Sequence, residues 1–84
     1  MFELTGQTAL VTGSAKGIGK GIAKVLANSG ATVLIGDVDR ENGEKTAEEL
    51  KGEYYYLDVT NKQNIQEVVG EIAEKYGKLD IVCS

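Results

Sequence analysis

Glycine and lysine cluster in one short stretch near the start of the chain. Gly13, Gly17 and Gly19 lie close together, with Lys16 and Lys20 between and beside them. Glycine allows a tight turn and lets the backbone approach a ligand, because it carries no Cβ. If a helix begins here, the free N–H groups of its first turn suit a pyrophosphate. The stretch therefore predicts a phosphate-binding loop, and the alternative is a turn with a structural role alone.

The spacing of these glycines differs from two common phosphate-binding motifs. The stretch reads G-x-x-x-G-x-G, whereas the dinucleotide fingerprint G-x-G-x-x-G, counted from Gly17, would need a glycine where Ile22 stands. A P-loop is also excluded, because Ser14 stands where that motif requires its first glycine. The residues predicted to contact a bound nucleotide in this loop are Gly13, Ser14, Lys16, Gly17, Ile18 and Gly19.

A carboxylate follows the second apolar run of the sequence. Asp37 lies 18 residues after Gly19, at the end of a predicted strand. A carboxylate in that place can accept hydrogen bonds from both hydroxyls of an adenosine ribose, and it would repel a 2′-phosphate. Asp37 therefore favours NAD over NADP as the cofactor. The alternative is a turn aspartate that caps the next helix, although Asp39 is better placed for that cap.

A second acidic position follows the third apolar run, where Asp58 precedes Val59. In a doubly wound sheet, the carboxyl ends of the first three strands lie along one edge, where ligands bind. Asp58 is therefore predicted to hydrogen-bond an adenine amino group, and Val59 to pack on the ring. The alternative is that Asp58 only begins a loop.

Short apolar runs alternate with amphipathic stretches along the chain. The runs predict buried strands, because they are short, rich in β-branched or aromatic residues and bounded by glycine or polar residues. The predicted strands cover residues 8–12, 31–35, 54–57 and 79–83. The order is βαβαβαβ, and the connections have room only for crossover helices, which makes the sheet parallel. We therefore predict an α/β fold with a Rossmann-like doubly wound parallel sheet.

Apolar spacing and capping residues predict three connecting helices. The first carries an apolar stripe that consists of Ile18, Ile22, Val25 and Leu26. Asp39 suits the N-cap of the second helix, where Glu41 and Lys45 have the spacing of an ion pair. Thr60 and Gln63 have the spacing of a capping box at the start of the third. The stripe of the third helix consists of Ile65, Val68, Val69, Ile72, Ala73 and Tyr76.

Composition excludes several classes of function. The 84 residues include nine basic and thirteen acidic side chains, which give a net charge of −4 and argue against nucleic-acid or anionic-membrane binding. The chain has no histidine, which excludes histidine-based acid–base catalysis, and its one cysteine, Cys83, excludes an internal disulfide or a multi-cysteine zinc site. The sequence has no signal-peptide pattern and no apolar run near the ~20 residues of a membrane span, so we expect a cytoplasmic protein.

Three helices are too few to cover both faces of a four-stranded parallel sheet. The last strand is predicted at 79–83, with nothing after it to pack on the sheet. We therefore expect residues 1–84 to be the N-terminal part of a single dinucleotide-binding domain, incomplete at the C-terminus. The alternative is a self-sufficient domain of 84 residues, which should expose an apolar patch on the sheet or dimerise to cover it.

In combination, these motifs resemble the N-terminal part of a short-chain dehydrogenase/reductase. The resemblance is carried by the Thr-Gly-x-x-x-Gly-x-Gly stretch at residues 12–19, by Asp37 and by the pair Asp58 and Val59. The residues 79–84, Leu-Asp-Ile-Val-Cys-Ser, are similar to the family segment Asp-Ile-Leu-Val-Asn-Asn-Ala-Gly up to its first asparagine. The resemblance covers essentially the whole chain, which corresponds to roughly the first third of a typical family member.

The resemblance implies an NAD(P)-dependent oxidoreductase that transfers a hydride between the nicotinamide and a small alcohol or carbonyl substrate. In that family the acid–base is the tyrosine of a Tyr-x-x-x-Lys motif, helped by a serine and an asparagine. None of the four tyrosines here has a lysine four residues later, so no catalytic residue is assigned and we expect the 84-residue chain alone to be inactive. The alternative function is a non-catalytic dinucleotide-binding module or a degenerate remnant.

One residue conflicts with the preference for NAD. In the family, a basic residue just before the second motif glycine often accompanies NADP, and Lys16 stands there. Asp37 is expected to lie closer to the ribose hydroxyls, and a fixed carboxylate beside a phosphate dianion is costly, so NAD is favoured over NADP. The resemblance also leans towards a homo-oligomer, while the identity of the substrate is not readable from these residues.

Overall fold

The architecture is known from a computed structural model, which describes residues 3–84. Four strands alternate with three helices, and the predicted βαβαβαβ order is confirmed. The strands are β1 (Thr8–Thr12), β2 (Thr32–Asp37), β3 (Glu53–Tyr56) and β4 (Ile81–Cys83). The helices are α1 (Gly17–Asn28), α2 (Arg40–Glu49) and α3 (Lys62–Tyr76).

All four strands are parallel and lie in the order β3-β2-β1-β4. The chain moves from β1 outward to β2 and β3, and α3 then carries it back across the sheet to β4, on the other side of β1. This reversal creates a switch point at the carboxyl ends of β1 and β4, where doubly wound sheets bind ligands. The predicted Rossmann-like α/β fold is confirmed.

Two apolar clusters cover the two faces of the sheet. Side chains alternate between the faces along each strand, so neighbouring residues of one strand enter different clusters. Leu10 and Leu34 belong to the cluster beneath α3, whereas Val11 and Ile35 belong to the cluster beneath α1 and α2. Because β1 and β2 are buried on both faces, their sequences read as continuous apolar runs, which made them recognisable.

The strand boundaries differ slightly from those predicted. β2 begins at Thr32 instead of residue 31, and it continues to Asp37 because its backbone pairs with β1 as far as Gly36 and with β3 at Asp37. β3 begins at Glu53 and β4 at Ile81, one residue earlier and two residues later than predicted. The extension of β2 matters for the site, because it makes Asp37 the last residue of a strand.

The capping box predicted for α3 at Thr60 and Gln63 is wrong. Asn61 is the N-cap instead, and its side-chain oxygen accepts a hydrogen bond from the N–H of Asn64 at 3.0 Å. The Thr60 hydroxyl instead lies in the turn before the helix, where it donates to the carboxylate of Asp58 at 2.6 Å. Two neighbouring residues were suited to the cap, and the turn before the helix decides between them.

The predicted cap of α2 is confirmed, but its predicted ion pair is not. Asp39 occupies the N-cap and its side chain accepts from a first-turn N–H at 3.2 Å. The ion pair that forms in α2 joins Arg40 to Glu44 at 3.8 Å, and within residues 3–84 Glu41 and Lys45 make none. The guanidinium of Arg40 lies over a tyrosine ring of β3, which places it on the side of α2 that Glu44 shares.

The apolar stripe predicted for α1 does not form the buried face of that helix. Ile18 is 85% exposed, Val25 is 65% exposed and Ile22 is 38% exposed. Instead, α1 packs on the sheet through Ala23, which is fully buried one turn after Gly19. Small residues at this spacing let the helix lie close to the sheet, so the larger side chains of the stripe point away from it. Among the predicted stripe residues, Leu26 does pack against the core.

The face of β1 and β4 beside α3 is only partly covered. An apolar groove lies there, and its lining includes Leu10, Val59, Val69 and Val82. Val82 is 62% exposed and Val59 is 60% exposed, which agrees with the expectation that three helices do not cover this sheet fully. None of the helices within residues 3–84 combines the length and the apolar character that crossing a membrane requires.

Candidate functional site

The loop between β1 and α1 is folded tightly against itself. Gly13 and Gly17 have φ angles of +65° and +69°, which side chains rarely allow. A Cβ on Gly19 would lie 2.2 Å from the carbonyl oxygen of Gly13, so only glycine fits there. The N–H of Gly13 donates to the carbonyl oxygen of Gly36 at 2.7 Å and anchors the loop to β2. Each of the three motif glycines therefore meets a geometric requirement of the loop.

The N-terminus of α1 opens from this loop without a side-chain cap. Lys16 occupies the N-cap position in an extended conformation, no side chain within residues 3–84 caps the helix there, and its first turn carries no acidic residue. The first N–H groups of α1 are therefore available, and the helix dipole makes this end attractive to an anion. Lys16 is exposed beside it, whereas Lys20 pairs with Glu49 at 3.3 Å.

Two residues predicted to contact a nucleotide have side chains that the structure directs elsewhere. Ser14 is fully buried, and its Oγ donates to the carbonyl oxygen of Val11 at 2.6 Å, so this hydroxyl is engaged within the loop. Ile18 lies in the first turn of α1 with its side chain exposed to solvent. A contact of either residue with a nucleotide stays a prediction.

Asp37 meets the glycine loop directly. Its Oδ2 accepts a hydrogen bond from the N–H of Ala15 at 3.0 Å, and its Oδ1 accepts one from the N–H of Asp39 at 3.0 Å. Both carboxylate oxygens are therefore fixed relative to the loop, while each keeps a further lone pair for another donor. The structure thus brings together two parts of the site that stand 18 residues apart in the sequence.

Sequence reasoning did not assign two residues that hold these parts in place. Tyr54, predicted only as the first residue of a strand, donates from its hydroxyl to the carbonyl oxygen of Asp37 at 2.6 Å. Thr46 is buried in α2, and its Oγ1 donates to the carbonyl oxygen of Ala15 at 2.7 Å. The sequence signal for Thr46 is weak, since it is one small β-branched residue among the charged side chains of α2.

Asp58 and Val59 lie in the turn between β3 and α3. The Oδ1 of Asp58 accepts from the hydroxyl of Thr60 at 2.6 Å and from its N–H at 3.0 Å. These two hydrogen bonds, with the hydroxyl first, hold the pKa of Asp58 below its ordinary value. The side chain of Asn64 fixes the same turn by accepting from the N–H of Asp58 at 2.6 Å. Val59 presents an exposed apolar surface to the groove, and the adenine contacts stay a prediction.

Three of the four tyrosines take up packing positions. Tyr76 donates its hydroxyl to Glu53, and burial together with that hydrogen bond raises its pKa. Burial also raises the pKa of Tyr55, which packs against the cluster beneath α3. Tyr54 packs on the opposite face, against the cluster beneath α1 and α2. All three phenols therefore stay protonated at neutral pH.

Comparison with known proteins covers almost the whole chain. The family model described as short chain dehydrogenase matches residues 7–84. The chain is similar to the 3-oxoacyl-(acyl-carrier-protein) reductase FabG of Thermotoga maritima, with 39% identity over 86 residues that cover 96% of this chain and 35% of that protein. Zerumbone synthase of Zingiber zerumbet is 41% identical over 85 residues, which cover 96% of this chain and 32% of the synthase. Secoisolariciresinol dehydrogenase of Forsythia intermedia is 40% identical over 85 residues, which cover 98% of this chain and 31% of the dehydrogenase.

The chain spans about a third of the length of these curated relatives. The resemblance inferred from the glycine loop, Asp37 and the residues after β3 is confirmed by the family match, which leaves out only the first six residues. The parallel sheet, with its strand order and its glycine loop after β1, agrees with that match. The chain belongs to the short-chain dehydrogenase family.

Proposed function

We propose that the chain is the adenosine-binding part of an NAD-dependent oxidoreductase, which transfers a hydride between the nicotinamide and a small alcohol or carbonyl substrate. The observation that carries this proposal is the contact between Asp37 and the glycine loop, where the carboxylate lies 3.0 Å from the N–H of Ala15. A carboxylate fixed beside a phosphate-binding loop is placed to accept hydrogen bonds from the ribose hydroxyls of the same nucleotide.

The loop fits the pyrophosphate of a dinucleotide. Within residues 3–84, no atom outside the adjoining residues lies within 4 Å of where a Cβ would stand on Gly13 or Gly17, so a ligand can approach the backbone at both positions. The uncapped first turn of α1 supplies N–H donors, and Lys16 adds a positive charge. When bound, the cofactor supplies hydride transfer at its nicotinamide, while these residues bind and orient its phosphates.

The hydrogen bonds of Asp37 support NAD over NADP. A 2′-phosphate would place up to two negative charges beside the carboxylate. Asp37 cannot turn away without breaking its bonds to the N–H groups of Ala15 and Asp39. Lys16 is exposed, and a flexible lysine is compatible with either cofactor.

We assign no catalytic residue within these 84 residues. We propose that this chain alone does not turn over an alcohol and that it binds a dinucleotide more weakly than a whole domain, because it supplies contacts to the adenosine half only. The second candidate is a dinucleotide-binding module without chemistry, since the glycine loop and the Asp37 carboxylate would hold a nucleotide in the same way in either protein. Oxidation of an alcohol by the purified chain with NAD would overturn the expected inactivity and exclude the module.

The experiment compares Asp37→Asn with Asp80→Asn as a matched control. Both carboxylates accept from a backbone N–H, but Asp80 bonds Thr8 at 2.8 Å, at the opposite edge of the sheet. NMR titration of the isotope-labelled chain with NAD and with NADP gives both dissociation constants and shows which amides respond. We expect the unmodified chain to prefer NAD and Asp37→Asn to lose about tenfold in NAD affinity.

Three results of this experiment test the assignment of Asp37 to the ribose site. Asp80→Asn should keep the NAD affinity of the unmodified chain, because its side chain lies at the far edge of the sheet. The amides that respond to NAD should include those of residues 13–19. If the ratio of the dissociation constants for NADP and NAD is the same in Asp37→Asn and in the unmodified chain, the assignment of the ribose site is overturned.

A further inference from the structure

The hydroxyl of Tyr54 reaches the main chain at the end of the neighbouring strand. Tyr54 pairs with Ile35 in the register of β2 and β3, yet its Oη donates to the carbonyl oxygen of Asp37, 2.6 Å away and two residues further along β2. The same carbonyl oxygen also accepts from the N–H of Leu57 at 3.2 Å. The Tyr54 bond is therefore an addition to a ladder bond that already satisfies this oxygen.

The neighbouring helix makes room for the ring of Tyr54. A Cβ on Gly43 of α2 would lie 2.3 Å from the Cε1 atom of the ring, so this buried position suits glycine. The guanidinium of Arg40 lies 5.4 Å from the ring centroid, and it is held there by its ion pair with Glu44. Burial raises the pKa of Tyr54, which keeps its hydroxyl a donor throughout the physiological range.

The carbonyl that Tyr54 holds belongs to the peptide between Asp37 and Val38. The orientation of this peptide sets the direction of the turn at residues 37–39. The N–H of Asp39 in that turn donates to one oxygen of the Asp37 carboxylate, and the N–H of Ala15 donates to the other. Fixing the peptide therefore fixes the direction in which the carboxylate points.

We propose that Tyr54 is a positioning residue that sets the preference for NAD over NADP by holding the Asp37 turn in place. This inference rests on the proposed role of Asp37 at the ribose. Removal of the Tyr54 hydroxyl leaves the charge of Asp37 intact but allows the turn at residues 37–39 to move. The N–H groups of Ala15 and Asp39 then hold the carboxylate less firmly in one direction, so NAD binds more weakly and NADP is rejected less.

The test is Tyr54→Phe in the 84-residue chain, with NAD and NADP as the ligands in an NMR titration. Phenylalanine keeps the ring that Gly43 accommodates, and the Asp37 carbonyl keeps its bond to Leu57, so the fold should be retained. We expect NAD affinity to fall about fivefold, as for the loss of one hydrogen bond. The preference for NAD, measured as the dissociation constant for NADP divided by that for NAD, should decrease. Tyr55→Phe makes the same change on the opposite face of β3 and should leave both constants unchanged.

A second variant tests the same contact with the hydroxyl retained. Gly43→Ala places a methyl group against the ring of Tyr54 and should also decrease the preference for NAD over NADP. The inference is overturned if Tyr54→Phe keeps the ratio while Asp37→Asn loses it, in which case the ribose site stands without Tyr54. It is also overturned if Tyr54→Phe weakens NAD and NADP equally or unfolds the chain, because either result describes a merely structural hydroxyl. If the unmodified chain itself shows no preference for NAD, the proposed function fails instead.

Discussion

Helices α1 and α3 both begin at the carboxyl edge of the sheet, but they satisfy their first N–H groups differently. At α3, the side chain of Asn61 accepts from the N–H of Asn64 at 3.0 Å, so the chain completes its own helix end. At α1, Lys16 stands in the cap position, offers no acceptor and is followed by a first turn without acidic residues. The helix end beside the glycine loop is thus the less self-sufficient of the two. An unsatisfied end costs stability and leaves donors for a ligand.

The largest effect on this comparison is expected from Gly19→Ala. The new Cβ would lie 2.2 Å from the carbonyl oxygen of Gly13, a backbone atom that can move only with the loop. We expect NAD affinity to fall more than about tenfold and the free energy of unfolding to fall by about 1–3 kcal/mol. NMR titration and chemical denaturation measure the two effects.

Gly21→Ala is the matched control for that substitution, since it lies in the same helix with open space around its Cβ position. It should leave NAD affinity unchanged and raise the free energy of unfolding by about 1 kcal/mol, because alanine is the better helix former. NAD binding by Gly19→Ala at full affinity would show that the tight turn is dispensable for the ligand.

Lys16→Asp gives α1 the kind of cap that α2 and α3 already have. The new carboxylate can accept from a first-turn N–H, and we expect the free energy of unfolding to rise by about 1 kcal/mol. The same carboxylate competes with a pyrophosphate for that N–H and repels it, so NAD affinity should fall about fivefold. Lys24→Asp changes the charge equally, further along α1, and serves as the control in both measurements. If Lys16→Asp bound NAD as well as Lys24→Asp does, the pyrophosphate would not lie at this helix end.

Asn61→Ala removes the cap from α3 and, unlike Lys16→Asp, should lower the stability of the fold. We expect the free energy of unfolding to fall by about 1 kcal/mol, because the first-turn N–H of Asn64 loses its acceptor. NAD affinity should fall less than in Lys16→Asp, since α3 begins away from the glycine loop and adjoins only the turn of Asp58, where the adenine contacts are predicted. Asn61→Asp keeps an acceptor and should keep the stability. Chemical denaturation that shows no loss in Asn61→Ala would mean that Thr60 takes over the cap.

The smallest effect concerns the pH dependence of the cap on α2. The hydrogen bonds from the side chain and the N–H of Asn42 hold the pKa of Asp39 below its ordinary value of 3.8. A lowered pKa in the folded state stabilises the fold above the unfolded value, and this contribution is lost as the pH falls through the folded value. Asp39→Asn caps without titrating, so the unmodified chain should lose melting temperature relative to this variant only below about pH 4. Parallel thermal melts from pH 7 to pH 2 test this, and a constant difference would rule out the titrating cap.

The sheet was predictable because strands that are buried on both faces consist of consecutive apolar residues, a pattern that is easily recognised in the sequence. β1 and β2 read as unbroken apolar runs, and their order with the helices restricted the topology. The buried face of α1 was not predictable from large apolar residues, because its fully buried residue is the small Ala23, while Ile18 and Val25 point to solvent. Periodicity identified the helix but could not identify the side that packs.

The residues of the candidate site also include some that the sequence predicted and some that it did not. Gly13, Gly19 and Asp37 were predictable as parts of the candidate site, because a tight turn requires glycine and because Asp37 ends an apolar run. Tyr54 and Thr46 were not, because each bonds a main-chain carbonyl oxygen, and no pattern of residue types records where a carbonyl lies. Such contacts depend on strand register and helix placement, which exist only in the folded chain.

The position of β1 between β2 and β4 has a consequence for the order of folding. β1 can pair with β2 soon after both have been synthesised, but its other edge waits for β4, and the contact of Thr8 with Asp80 spans 72 residues. Closing a loop of that length is entropically costly and slow compared with pairing of nearby segments. On the ribosome, the strand that carries the glycine loop is therefore paired along one edge only until Cys83 has emerged, whereas the loop itself is already anchored to β2 through Gly36 and Asp37.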